Sequence, residues 1–181
     1  ICIWDAETGD LYGELVGHEK WVSSVRFSKG GKHILSASED GKVKIWSIDN
    51  ETCLMTFEIH SGPVNSAEFG NDEKWVLSAS DDKTIKVWDT TTGEVIQTLT
   101  GHEDVVSYAE FSRDEKYILS SSWNTTIKVW DVESGNLIRT YEGHTLAVST
   151  ARFSNDGTFI ISASWDHNVR LWNFTKRLEA Y

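Results

Sequence analysis

Apolar and polar residues alternate along this chain in short, evenly placed runs. In Val22 to Phe27, Ser23, Val25 and Phe27 fall on one face and Ser24 and Arg26 on the other. A period of two belongs to an extended strand, because successive side chains point to opposite faces. His33 to Ser38 and Val43 to Trp46 predict two more strands, joined by the hairpin signal Glu39-Asp40-Gly41. Cys53 to Phe57 predicts a fourth, and Thr92-Gly93 and Ser134-Gly135 mark the turn before its counterparts. No segment shows convincing helical spacing. The single proline, Pro63, sits in a loop before a strand, where its missing N–H does no harm. The pattern predicts an all-β fold built from small four-stranded antiparallel sheets.

The pattern repeats. Trp4, Trp46, Trp88, Trp130 and Trp172 are each 42 residues apart, followed by Asp5, Ser47, Asp89, Asp131 and Asn173. Gly17-His18, Ile59-His60, Gly101-His102 and Gly143-His144 keep the same step. So do Ser36-Ala37-Ser38-Glu39-Asp40, Ser78-Ala79-Ser80-Asp81-Asp82, Ser120-Ser121-Ser122-Trp123-Asn124 and Ser162-Ala163-Ser164-Trp165-Asp166. Three markers in one register, with no insertion, exclude coincidence. A four-stranded sheet cannot bury both faces alone, and stacking similar sheets side by side supplies the missing surface.

A period of 40–45 residues with four strands, a Gly-His marker and a Trp-Asp marker resembles the WD-repeat β-propeller family. The resemblance covers nearly the whole chain and is strongest from Gly101-His102 to Trp130-Asp131. It implies a single propeller region over residues 1–181, part of a larger ring that is often seven-bladed. Residues 1–17 would form a partial blade of strands c and d, 18–59, 60–101 and 102–143 full repeats, and 144–181 the last repeat. In the family, a His of the d–a loop, a Ser of strand b, an Asp of the b–c turn and the Trp of strand c form a hydrogen-bonded tetrad. The matching sets are His18, Ser36, Asp40, Trp46; His60, Ser78, Asp82, Trp88; His102, Ser120, Asn124, Trp130; and His144, Ser162, Asp166, Trp172. Such a network satisfies buried polar atoms and fixes one packing. Asn124 departs from the pattern and should lose a charge-assisted bond. Ile59 departs at the Gly position, and Asn173-Phe174-Thr175-Lys176-Arg177 lacks the Thr-Gly turn, which puts the last strand d in doubt.

No catalytic constellation is found. His18, His60, His102 and His144 recur one per repeat, so neighbouring blades would keep them too far apart for the roughly 2 Å bonds a zinc site needs. The serines lack the glycine elbow of hydrolases, and Lys29-Gly30-Gly31-Lys32 is an a–b turn, not a phosphate loop. No catalytic residue, metal or cofactor is expected. The family places binding on the faces, and three positions per repeat face the rim called the top. They are Trp21, Ser23 and Glu39; Pro63, Asn65 and Asp81; Val105, Ser107 and Trp123; and Ala147, Ser149 and Trp165. Trp21, Trp123 and Trp165 are not required by the period, and aromatic side chains are typical interface anchors. Partner binding is weighed above packing against neighbouring loops for them. Glu39 and Asp81 add negative charge, so the expected ligand is a peptide or protein with an apolar anchor and a Lys or Arg. Trp75, at the start of a strand b, is assigned to packing between blades.

Composition narrows the picture. Seventeen Lys and Arg face 28 Asp and Glu, a net charge of −11, which argues against nucleic acid and anionic membranes. Aromatics at 12% exclude a disordered chain. No apolar run approaches a membrane span, so no membrane insertion is expected. Two cysteines, Cys2 and Cys53, cannot frame a disulfide scaffold and read as buried reduced thiols. No signal peptide is visible, which points to a cytoplasmic location with the nucleus as the alternative. It also makes glycosylation unexpected at the Asn50, Asn124 and Asn173 sequons. The absence of an initiator Met suggests a fragment, a processed chain or an incompletely known sequence. The strand count gives about four and a half blades, with apolar faces open at both ends and self-association through them as a consequence. Either the chain is a portion of a larger propeller, the favoured reading, or Leu11 to Val16 completes the last sheet of this or another copy. The expected function is a noncatalytic protein–protein interaction scaffold. The alternative is a regulatory or substrate-recruiting portion of a larger enzyme or NTPase. A nucleic-acid or methyl-lysine reader is the weakest reading.

Overall fold

Strands form where β-branched and aromatic residues alternate with polar ones. In the computed structural model, which describes residues 1–58 and 60–174, seventeen strands follow one another with no helix between them. A half-blade holds β1 (Cys2–Trp4) and β2 (Leu11–Glu14). Blade 1 holds β3 (Val22–Phe27), β4 (His33–Ser38), β5 (Val43–Ser47) and β6 (Thr52–Phe57). Blade 2 holds β7 (Val64–Phe69), β8 (Trp75–Ser80), β9 (Ile85–Asp89) and β10 (Val95–Leu99). Blade 3 holds β11 (Val106–Phe111), β12 (Tyr117–Ser122), β13 (Ile127–Asp131) and β14 (Leu137–Tyr141). Blade 4 holds β15 (Val148–Phe153), β16 (Phe159–Ser164) and β17 (Val169–Asn173). Blades 1 to 3 are antiparallel meanders in chain order, a-b-c-d, the half-blade holds c-d and blade 4 holds a-b-c among the described residues, so the all-β fold expected from the pattern and the propeller blades implied by the resemblance are present. Among the described residues no helix is long and apolar enough to cross a membrane. The doubtful last strand d, at Thr175 to Arg177, and Ile59 lie outside the described residues.

Strand a interrupts its pairing with strand b once in every blade. In blade 1 Val22 pairs with Ser38 and Ser24 with Ala37, which leaves Ser23 as the extra residue of a β-bulge. Asn65, Ser107 and Ser149 are bulged in the same way. A bulge twists the strand and re-aims one side chain.

The core lies between blades rather than within them. Leu35, Ala37, Val43, Ile45 and Phe57 of blade 1 meet Val64, Ala67, Val76 and Trp88 of blade 2. The same junction recurs between blades 2 and 3 and between blades 3 and 4. Trp75 packs against the blade 2–blade 3 junction, as expected. The stack leaves apolar faces open at both ends. Val22, Val25 and Phe27 are exposed on blade 1, and Val169 and Leu171 of blade 4 are each 67% exposed, whereas their counterparts in the inner blades are buried or, for Phe69, half-buried.

Two expectations need correction. Cys2 and Cys53 are exposed, not buried. Cys2 lies on β1 of the half-blade and Cys53 on β6, the outermost strand of blade 1. The strand expected over Leu11 to Val16 is shorter, Leu11–Glu14, with Leu15 N still donating to Ile1 O at 2.8 Å just beyond it.

Candidate functional site

Each blade is pinned by its tetrad. His18 Nδ1 lies 2.8 Å from Asp40 Oδ2, and His18 Nε2 lies 2.7 Å from Ser36 Oγ. Trp46 Nε1 donates to Ser36 Oγ at 2.8 Å. The carboxylate can only accept, so a neutral His18 carries its proton on Nδ1 and takes the serine proton at Nε2. The chain therefore runs indole to hydroxyl to imidazole to carboxylate. His60, Ser78, Asp82 and Trp88 repeat it within 0.1 Å, as do His144, Ser162, Asp166 and Trp172. A backbone N–H from Glu19, Ser61 or Thr145 adds a further bond to each carboxylate, at 3.0–3.1 Å. Burial opposes ionisation of Asp40, Asp82 and Asp166, yet these donors together hold all three carboxyls below the usual range. Burial pushes the His18 imidazole down.

Blade 3 shows what the missing charge costs. His102 Nδ1 stands 3.4 Å from Asn124 Oδ1, and that oxygen also accepts from Thr126 N and Thr126 Oγ1. Glu103 N–H makes no bond to Asn124, unlike its counterparts. Burial, followed by the nearby Lys128 charge, pushes His102 down to about 4.

The glycine before the histidine has its own reason. Gly17, Gly101 and Gly143 have φ of +141° to +151°, and a Cβ there would lie 3.2–3.3 Å from the Cη2 atom of the tetrad Trp. The Gly-His and Trp markers are thus parts of one contact.

The d–a loops and b–c turns form one rim. Glu39 N donates to Trp21 O, Asp81 N to Pro63 O, Trp123 N to Val105 O and Trp165 N to Ala147 O, all at 2.9–3.0 Å. The bulged position serves mainly to join blades. Ser23 Oγ donates to Val64 O, Asn65 Nδ2 to Val106 O at 3.0 Å and Ser107 Oγ to Val148 O at 2.7 Å. Asn65 also donates to Asp81 Oδ1 at 2.8 Å. Ser149, on the last blade, turns back to Ala163 O. Of the expected rim residues, Pro63, Val105 and Ala147 are half-buried. The tryptophans stand out: Trp21 is 80% exposed, Trp165 58% and Trp123 43%. Trp123 and Trp165 pack on each other with ring centroids 5.5 Å apart and planes tilted by 44°, so the rim of blades 3 and 4 carries one continuous aromatic platform. Trp21 stands apart from that pair.

The sequence pattern did not reveal a charged ladder on the inner strands. Arg26, Glu68, Glu110 and Arg152 occupy one position of strand a in successive blades. Arg152 donates to Glu110 Oε2 at 3.2 Å and lies 4.5 Å over the Tyr108 ring, while Phe153 N donates to Glu110 Oε1 at 2.6 Å. Burial, then the Glu110 charge, pushes Glu68 up to about 7. Burial also raises the Glu110 carboxyl and the Tyr108 phenol. The 42-residue spacing signalled the equivalence, but only stacking brings the two acids together.

The tetrad serines are buried with both hydrogen-bonding roles filled, and each imidazole has both nitrogens engaged within its own blade. These groups hold structure together; what remains for a ligand is the rim. Among the described residues no group of three or more His, Cys, Asp and Glu could hold a metal ion.

The profile of the family described as WD domain, G-beta repeat matches residues 9–47, 51–89, 93–131 and 135–173. Each matched segment opens ahead of a strand d and closes at a strand c, so blades 1, 2 and 3 each take their outermost strand from the following segment. The chain is 44% identical over 50 residues to the probable E3 ubiquitin ligase complex SCF subunit sconB of Talaromyces stipitatus, covering 28% of this chain and 8% of that protein. It is 42% identical over 50 residues to the protein of the same name from Emericella nidulans, covering 28% and 7%. It is 40% identical over 57 residues to the nuclear distribution protein PAC1 of Coccidioides posadasii, covering 31% and 12%. The matched stretch therefore spans no more than 12% of each of these relatives.

Proposed function

The chain belongs to the WD domain, G-beta repeat family, and from that premise we propose that it is a noncatalytic protein-interaction scaffold whose ligand docks on the tetrad rim. The observation that carries this reading is the exposed Trp123–Trp165 platform on a rim where Ser23, Asn65 and Ser107 are engaged in joining blades. Paired aromatic surface of this kind concentrates binding energy when covered. Glu39 and Asp81 lie on the same rim beneath a net charge of −11, which favours a peptide or protein that brings a Lys or Arg beside its apolar anchor. The relatives' names, a ubiquitin-ligase complex subunit and a nuclear distribution protein, fit a part that assembles other proteins. The same acidity disfavours nucleic acid as the ligand.

The test is affinity capture from a cell extract with the chain and with Trp123→Ala and Trp165→Ala variants. Each single variant is expected to weaken capture of the specific partner by about tenfold or more. Unchanged capture by the double variant sinks the reading. A second reading rests on how little of each relative is matched: the repeats would recruit substrate within a larger enzyme assembly. The open face of blade 4 also favours self-association, which Leu171→Glu would suppress in a sedimentation experiment.

A further inference from the structure

The rim opposite the tetrads carries a groove that no repeat marker announces. It lies between blades 2 and 3, where the a–b and c–d turns of blade 3 meet β8 and β10 of blade 2, and its volume is about 580 Å³. Trp75, Ile96, Tyr117 and Val132 give it apolar walls, and Glu115, Asp131 and Glu133 border them. Both flanking sheets have all four strands, so the groove belongs to the stack itself. The junction before it shows how the same place can be closed. One period back, His33, Leu54, Glu73 and Thr90 hold the positions of Trp75, Ile96, Glu115 and Val132. There His33 Nδ1 lies 3.2 Å from Glu73 Oε2, which ties one wall to the other, and the space is about 260 Å³. Trp75 offers Glu115 no such link, and the Glu115 carboxylate accepts from Asn71 N instead. The Trp75 indole N–H makes no hydrogen bond among the described residues. Two more exchanges sharpen the chemistry: Val132 replaces Thr90, and the exposed Glu133 replaces Thr91.

The acids of this groove are not neutralised by their neighbours. Lys74 and Lys116 are the cations of the adjoining a–b turns, and each reaches an acid of its own turn, Asp72 at 2.9 Å and Asp114 at 4.0 Å. The Ser134 hydroxyl, then its backbone N–H, holds the Asp131 carboxyl below the usual range, so that group is charged at neutral pH. Apolar walls that include an indole, bordered by carboxylates, suit a basic side chain that lays its stem on apolar surface and its head among the acids. A guanidinium fits better than an ammonium, since it is planar, stacks on indole and pairs with carboxylates through two N–H groups. We propose that this groove binds an extended segment of a partner protein through an Arg next to an aliphatic residue. The guanidinium lies over Trp75 between Asp131 and Glu133, and the aliphatic side chain packs on Ile96 and Val132. The site is on the opposite rim from the Trp123–Trp165 platform, so both can be occupied at once.

The probe comes from random heptapeptides displayed on phage, selected against the full chain carrying Trp123→Ala and Trp165→Ala so that the other rim does not compete. The enriched sequences are expected to share an Arg beside an aliphatic residue. A synthetic copy of the most enriched one should move the ¹⁵N indole signal of Trp75, assigned by Trp75→Phe, in a saturable way. Binding should be about fivefold weaker or more in Glu133→Lys, about tenfold weaker in Ile96→Asp, and weaker as NaCl rises from about 0.05 to 0.5 M. Glu133 and Ile96 are both exposed, Ile96 by 53%, so these variants keep the fold, which an unchanged melting profile verifies. Selected peptides without a basic residue, a Trp75 signal that stays in place, or equal binding to Glu133→Lys overturns the proposal. Self-association of the chain that excludes the peptide and disappears in Ile96→Asp would give the groove to a second copy and overturn it too.

Discussion

Asn124 shows how much one atom weighs in a repeated network. The carboxylate oxygen that elsewhere holds both an imidazole N–H and a backbone N–H is replaced by an amide, and the His102 contact lengthens to 3.4 Å. Asn124→Asp is expected to stabilise the protein by about 1 kcal/mol, a rise of roughly 2–4 °C in melting temperature by calorimetry. The same site carries a pH dependence. His102 falls from an ordinary 6.5 to about 4 on folding, so between those values the unfolded chain binds the extra proton. Stability from this group is therefore complete above pH 6.5 and is lost as the pH drops toward 4, by up to about 3 kcal/mol. Denaturant titrations from pH 4 to 7 should show that slope, and Asn124→Asp should flatten it.

Strands and turns obey the sequence where the deciding forces are local. The boundaries of β3 and β4 are those the alternation predicts, because β-branched and aromatic residues suit a pleated, half-buried surface. The tetrads were legible through the family resemblance, which the fixed step of their members made recognisable. The bulges at Ser23, Asn65 and Ser107 were not, since a bulge depends on how strand a pairs with strand b and no local residue type announces it. Three rim positions expected to meet a ligand consequently prove to be bridges to the next blade. The cysteines were misjudged because general burial habits say nothing of which side of a strand a residue occupies or what packs against it. Gly101 links turn and strand. An added methyl would meet Trp130 at 3.3 Å with φ held at +141°. Gly101→Ala is expected to cost about 1–3 kcal/mol in equilibrium unfolding, and an unchanged midpoint would refute that contact.

At the scale of the molecule, stacking creates chemistry that no single blade contains. Glu68 and Glu110 come from different blades and meet only when these pack, with Arg26 and Arg152 as the facing cations. Glu68 rises from 4.5 to about 7 on folding, so the folded state holds the extra proton across that interval. Its contribution is present below pH 4.5 and is lost as the pH climbs to 7, the opposite sense to His102. Glu68→Gln should therefore add about 1–2 kcal/mol at pH 8, after solvent screening, and nothing at pH 4. Equal effects at both pH values would show that folding does not raise the Glu68 carboxyl.

The offset between matched segments and sheets has a mechanical outcome. A segment that comes loose takes the edge strand of the sheet before it along with it, so damage spreads backward along the chain as well as in place. Neighbouring blades are laced together like overlapping shingles, and the arc should melt as one body instead of shedding its units in turn.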